Sequence, residues 1–161
     1  MALDEKKPGK ARLVGAVGVV ATATLLWFVP VKEGTRLTPY YDSVGVKTVC
    51  VGSTKNVENR LYTPEECAKL LEEELADHAE GALKCINKPT TEGQRAAYTS
   101  FAFNVGITAF CRSTLAKKHN AGDYRGACAE LSRWVFGGTQ VLPGLVIRRA
   151  EERKMCEKGL E

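Results

Sequence analysis

The sequence predicts an α+β protein: a small mixed lobe containing short strands, then a mostly helical lobe, both preceded by an N-terminal membrane-inserting helix. Three observations predict it. Leu13–Val31 is a run of 19 residues without a charge; residues 34–52 mix turn formers with β-favouring Val44, Val46, Thr48 and Val49; and from residue 63 onward apolar residues recur at helical spacing behind capping signals. At 161 residues the chain is long enough for one domain with a core and too short for two. The division expected is a leader over residues 1–32 and a globular domain over residues 33–161.

In an α-helix, 19 residues reach roughly 28 Å, close to the ~30 Å hydrocarbon core of a bilayer. Lys6, Lys7, Lys10 and Arg12 lie just before the run, so the positive-inside rule places the N-terminus in the cytoplasm and the remainder outside. Seven of the 19 residues are Gly, Ala or Thr, which makes a weak anchor from which escape is conceivable. Two other readings stay open: a cleaved leader, with Ala21-Thr22-Ala23 as an A-x-A site, and a buried core helix.

Gly34, Pro39, Gly45 and Gly52 punctuate the next stretch as loops and short strands. Thr63-Pro64-Glu65-Glu66 then supplies an N-cap, a proline at the first helical position and a capping-box glutamate, followed by Cys67, Leu70, Leu71, Leu75 and Leu83 on one face. Thr91-Glu92-Gly93-Gln94 opens a second helix through Phe103. Ser113 or Thr114 caps a third, ended by Ala121-Gly122, and a fourth runs from Asp123 to about Trp134. A loop at Gly137-Gly138-Thr139 leads to a last helix from about Pro143 to before Gly159.

Net charge is +4, but residues 1–32 hold five cations and two anions, leaving +1 for the rest. The globular part therefore lacks the broad positive field of a nucleic-acid binder, and the excess reads as a topology signal. Six cysteines, Cys50, Cys67, Cys85, Cys111, Cys128 and Cys156, all follow the apolar run. An even number on the exported side suits disulfides in an oxidising compartment. With no C-x-x-C spacing and only His78 and His119, a zinc site and an anchored redox protein both lack support, and neither metal nor cofactor is expected. Cys128 and Cys156 fall on the last two helices and are the pair expected; the other connectivities stay open, as do free buried thiols.

The stretch Glu33-Gly34-Thr35-Arg36-Leu37-Thr38-Pro39-Tyr40-Tyr41-Asp42-Ser43-Val44-Gly45-Val46-Lys47-Thr48 places a Glu, an Asp nine positions later and a Thr six beyond that across turns and a hairpin. Such a set suits glycosidic hydrolysis: one carboxylic acid protonates the leaving oxygen, a carboxylate stabilises developing positive charge, and a hydroxyl holds the attacking water. Spacing alone fits a surface Glu, a turn Asp and a strand Thr equally well.

The stretch resembles the E-G-x-x-L-x-x-Y-x-D-x-x-G-x-x-T motif of phage-type lysozymes, glycoside hydrolase family 24. Glu33, Gly34, Leu37, Tyr40, Asp42, Gly45 and Thr48 fall on it. The similarity continues through Phe101–Gly106, Ser113-Thr114-Leu115, Ala127–Trp134 and Gly144–Glu152, about residues 33–156 in all. With the apolar run in front, the chain resembles the signal-arrest-release endolysins of lambdoid phages.

The resemblance implies a phage-lysozyme fold and a monomeric hydrolase cleaving the bond between N-acetylmuramic acid and N-acetylglucosamine in bacterial peptidoglycan. Glu33 would be the general acid, Asp42 would support the oxocarbenium-like transition state, and Thr48 would position the water. Asn104 is a candidate sugar contact, whereas Arg148 and Arg149 are expected in ion pairs on a helix surface. Ser53 stands where the family commonly has His, which is expected to alter stability more than activity. The expected life history is tethering in the host inner membrane with the catalytic domain periplasmic and inactive, then release and lysis. The alternative is a catalytically silent, membrane-anchored wall-binding protein that kept the fold.

Overall fold

A computed structural model describes residues 7–160. Lys6 and the acidic pair Asp4 and Glu5 lie outside the described residues. The elements are α1 (Gly9–Val17), α2 (Val19–Glu33), β1 (Arg36–Tyr41), β2 (Lys47–Cys50), α3 (Pro64–Leu83), α4 (Glu92–Val105), α5 (Ile107–Arg112), α6 (Thr114–Asn120), α7 (Tyr124–Glu130), β3 (Phe136–Gly137), β4 (Gln140–Val141) and α8 (Pro143–Glu157), with a 3₁₀ turn at Leu131–Arg133. Both sheets are two-stranded antiparallel hairpins. The α+β architecture with a small β lobe and a helical lobe is as the sequence predicts.

The apolar run is not one helix here. It breaks at Gly18, and α1 and α2 meet at 118°. No single helix among the described residues is long and apolar enough to cross a membrane; the bent pair passes that test only jointly, by length and composition. Gly18 has φ +103°, a left-handed value that favours glycine, and a Cβ there would lie 2.3 Å from Glu92 Oε1. Leu13, Val17, Ala21 and Leu25, four residues apart, and then Phe28 and Val29, three and four beyond Leu25, turn inward onto Leu71, Leu75, Ala76 and Ala79 of α3 and Ala96 of α4. Burying five large side chains contributes roughly 8–15 kcal/mol gross, the size of a whole domain's net stability. In this conformation residues 9–33 share the globular core.

Polar contacts fix the same arrangement. Arg12 donates to Asp77 at 2.6 Å and to both oxygens of Glu80 at 3.1 and 2.7 Å. Glu92 accepts from the Ala21 amide at 3.0 Å, capping the start of α2, and Arg95 donates to the Val17 carbonyl at 3.0 Å, capping the end of α1. The bend is thus held on both sides by one turn of α4.

The helix starts follow their sequence signals. Thr63 accepts from Glu66 N, Thr91 and Gln94 form a reciprocal capping box, and Ser113 and Asp123 cap α6 and α7. Two elements differ from expectation. Ile107–Arg112 forms α5, which carries no side-chain cap to announce it. The stretch around Gly137-Gly138-Thr139 is the turn of the β3–β4 hairpin. All six cysteines pair: Cys128 with Cys156 as expected, Cys50 with Cys67, and Cys85 with Cys111. There is no free thiol.

Candidate active site

Glu33 is the last residue of α2, and Gly34, at φ +78°, turns the chain out of the helix into β1. A carboxylate at a helix C-terminus meets the negative end of the dipole, and a cation compensates it. Arg148, buried on α8, donates to Glu33 Oε1 and also to the Ser100 carbonyl at 3.2 Å. The Glu33 side chain remains 28% exposed, and Oε2 has no partner among the described residues. Arg148 Nε lies 3.5 Å from Glu152, which also pairs with Arg149; Arg149 in turn donates to Asn104 Oδ1 and to the Trp134 carbonyl. Burial pushes the Glu152 carboxyl up, to about 7, against the pull of both arginines. It also lowers the Arg149 guanidinium.

The two arginines are therefore not surface groups: Arg148 is 4% and Arg149 1% exposed. They form a buried network that runs from the core to Glu33. The signal was in the sequence. Cys156, expected to pair with Cys128, marks the inward stripe of α8, and Glu152, Arg149 and Arg148 fall four, seven and eight residues before it.

Two cavities meet at this point. One, of about 430 Å³, is lined by Glu33, Val51, Gly52, Thr54, Lys55, Glu74, Asp77, His78, Phe103, Asn104 and Ile107. The other, of about 380 Å³, is lined by Val31, Lys32, Glu33, Asn104, Leu142, Gly144, Leu145, Ile147 and Arg148. Glu33 and Asn104 line both, so the acid stands where two halves of a cleft join. Asn104 is brought beside Glu33, with its carbonyl oxygen held by Arg149 and its amide nitrogen left to the cleft.

Lys55, Glu74 and His78 were missed as cleft residues. Glu74 is half-buried and its carboxyl is pushed up by burial. His78 donates from Nδ1 to the Glu74 carbonyl at 2.6 Å, which leaves Nε2 for another partner. Glu74 and His78 sit four residues apart on α3, with no spacing signal that ties them to Glu33.

Asp42 and Thr48 lie further along the β1–β2 hairpin and line neither cavity. The strands pair Arg36 with Cys50 and Tyr40 with Thr48, with an irregularity between the two pairs that accommodates Pro39, which has no N–H to donate. Asp42 sits at the turn. Its Oδ1 accepts from Val44 N at 3.0 Å and Val46 N at 2.8 Å, leaving Oδ2 without a partner among the described residues. Thr48 is 3% exposed and donates its hydroxyl proton to the Val46 carbonyl at 2.8 Å. Its oxygen is left as an acceptor. Ser53, in the place of the usual His, is buried on the bridge that pairs it with Val49.

A hairpin lobe and a helical lobe flanking a cleft, with a carboxylic acid fixed by a buried arginine where its halves join, is the architecture of a lysozyme, a glycoside hydrolase. The chain belongs to the phage lysozyme family, whose pattern matches residues 31–152. It is 43% identical over 121 residues to the SAR-endolysin of Escherichia phage Mu, covering 74% of this chain and 71% of that protein. Its fold matches the muramidase domain of SpmX from Asticaccaulis excentricus with a TM-score of 0.77 and 28% identity, over 83% of this chain and 94% of that one. It also matches the active form of the P1 phage endolysin Lyz with a TM-score of 0.74, over 95% of each chain; at 24% identity this likeness speaks for the fold alone.

Proposed function

We propose that this lysozyme is a phage endolysin, delivered to the periplasm by an uncleaved N-terminal segment, that hydrolyses the β-1,4 bond between N-acetylmuramic acid and N-acetylglucosamine. The observation that carries the reading is Glu33, anchored through Oε1 by buried Arg148 and lining both hollows of the cleft.

Glu33 Oε2 gives its proton to the glycosidic oxygen as the bond from that oxygen to the muramic-acid C1 breaks. Arg148 holds the carboxylate so formed, and N-acetylglucosamine leaves with its hydroxyl restored. The free oxygen of Asp42 supports the positive charge at the ring carbon. A water donating to Thr48 Oγ1 and to Asp42 attacks C1 and passes its proton to Asp42, giving inversion. Asn104 contributes an amide donor to a sugar substituent.

The leader belongs to the same reading. While residues 13–31 span the inner membrane with the N-terminus cytoplasmic, α2 is withdrawn from the core and Glu33 is held at the bilayer interface, away from Arg148. The SAR-endolysin name of the phage Mu relative supports a tethered and then released life history. Release lets α1 and α2 fold onto α3 and α4, and that assembles the site.

Glu33→Gln tests the chemistry. Glutamine keeps a hydrogen-bond acceptor for Arg148 and loses the proton, so clearing of chloroform-treated Gram-negative cells should fall about 10²–10⁴-fold while circular dichroism shows the fold retained. Clearing at the wild-type rate would overturn the assignment. Wall binding without clearing by either protein would favour the silent binder.

A further inference from the structure

Folding the leader onto the core buries one face of α2 and leaves the other bare. Val20 is 66%, Trp27 67% and Val31 60% exposed. They lie seven and four residues apart, so they share one side of the helix. Beside them runs a trough between α2 and the C-terminal half of α8. It consists of two adjoining hollows of about 510 and 320 Å³, both lined by Met155 and Lys158. Val20 borders the first, Trp27 the second, and the lining is mostly apolar.

Two lysines stand on the rim. Lys154 lies in the last turn of α8 and Lys158 immediately past its end, and neither has a carboxylate partner among the described residues. Of the acids lining the trough, Glu151 is neutralised by Lys32 at 2.6 Å, and Glu92, which keeps its charge, accepts from the Ala21 amide at 3.0 Å. An apolar strip with an exposed tryptophan and two unpaired lysines is the composition that lies in a headgroup layer. The ring and valines enter the acyl boundary while the ammonium groups meet lipid phosphates.

We propose that the folded enzyme binds peripherally to bilayers carrying anionic phospholipid, through the outer face of α2 and the edge formed by Lys154 and Lys158 at the C-terminal end of α8. The anionic surface is favoured over a second copy of the chain because a copy would bring the same cationic rim to the same trough. The proposal does not depend on the catalytic assignment. Its consequence is that release from a spanning state does not free the enzyme into bulk solvent: a weaker, salt-sensitive attachment keeps it at the membrane face.

The test is co-sedimentation of the purified full chain with vesicles of phosphatidylcholine alone or with 30% phosphatidylglycerol (about that fraction suffices for a surface potential). Binding should require the anionic lipid and be lost in high salt. A lysine near such a surface is worth about fivefold in partitioning, so the pair Lys154→Glu and Lys158→Glu should reduce the bound fraction at least tenfold, and Trp27→Gln should also weaken it. All three side chains are exposed, so each variant should hydrolyse purified peptidoglycan at the wild-type rate; that readout reports separately on the activity. Equal binding to neutral vesicles, binding indifferent to these substitutions, which marks reinsertion of the segment, or a dimer that Trp27→Gln dissociates would each overturn the proposal.

Discussion

At Glu33 a single residue ends a helix, closes an ion pair and, in the proposed reaction, supplies the acid. The ion pair decides its orientation. Arg148 reaches Glu33 from α8, 115 positions away, while also bonding Ser100 and lying against Glu152. Cutting such a buried group to an apolar one leaves carboxylates without a counter-charge, which costs about 3–5 kcal/mol. Arg148→Met should therefore lose that much stability to urea, and its kcat should fall well beyond any rise in KM, because Glu33 is positioned rather than substrate bound. Arg148→Lys, which can hold Glu33 but cannot fork to Ser100 and Glu152, should recover part of the kcat. A variant that loses only stability, with kcat intact, would make Arg148 a core residue with no positioning role. Glu33 was singled out as a candidate by its motif. Arg148 was not, because paired arginines on an otherwise polar helix read as solvated unless the inward stripe is first fixed by Cys156.

The elements that carry their own signals were the legible ones. Thr63, Thr91, Ser113 and Asp123 each cap a helix start, and each was readable because a side-chain acceptor and its amide are three residues apart. The α5 helix has no such cap, and β3 and β4 are two residues each, too short for alternation to show. The bend at Gly18 was hidden for another reason. Hydropathy reports that residues 13–31 avoid water, and the apolar faces of α3 and α4 satisfy that as well as acyl chains do. What distinguishes the two partners is Gly18 together with Glu92 and Arg95, more than seventy residues away in sequence. Gly18→Ala should thus act in opposite senses on two conformations. The bent form loses about 2 kcal/mol through strain at positive φ and displacement of Glu92, while a straight helix gains about 1 kcal/mol. The purified variant should unfold at lower urea, and in cells more of it should fractionate with membranes. Wild-type values in both measurements would show that the bend does not depend on this glycine.

At the scale of the whole molecule, the proposed life history gives one segment two competing partners, and the timing it implies rests on the difference between them. Three disulfides, closing 17, 26 and 28 residues, join pairs within residues 50–156 and contribute on the order of 3 kcal/mol each by restricting the unfolded chain. None touches the leader, so they pre-form the body that α1 and α2 must cover without fastening them. What fastens the leader is burial of Leu13, Val17, Leu25, Phe28 and Val29, with Arg12 on Asp77 and Glu80. The bilayer offers the same side chains a comparable gain, and it offers one to the outward residues too. That asymmetry allows anchor strength to be changed without touching the fold. Gly15 and Ala23 are exposed, and a Cβ at Gly15 meets nothing within 4 Å. Replacing both with leucine adds about seven carbons, which favours the bilayer by roughly 5 kcal/mol and adds little to the folded core. Gly18 and Ala21 are poor choices for this purpose, since both face the core or Glu92. The double variant Gly15→Leu, Ala23→Leu should stay in the membrane fraction and delay lysis in cells, yet hydrolyse purified peptidoglycan at the wild-type rate once extracted and folded. Lysis on the wild-type schedule by a protein still held in the membrane would mean that the tethered form is active and that withdrawal of Glu33 does not restrain it.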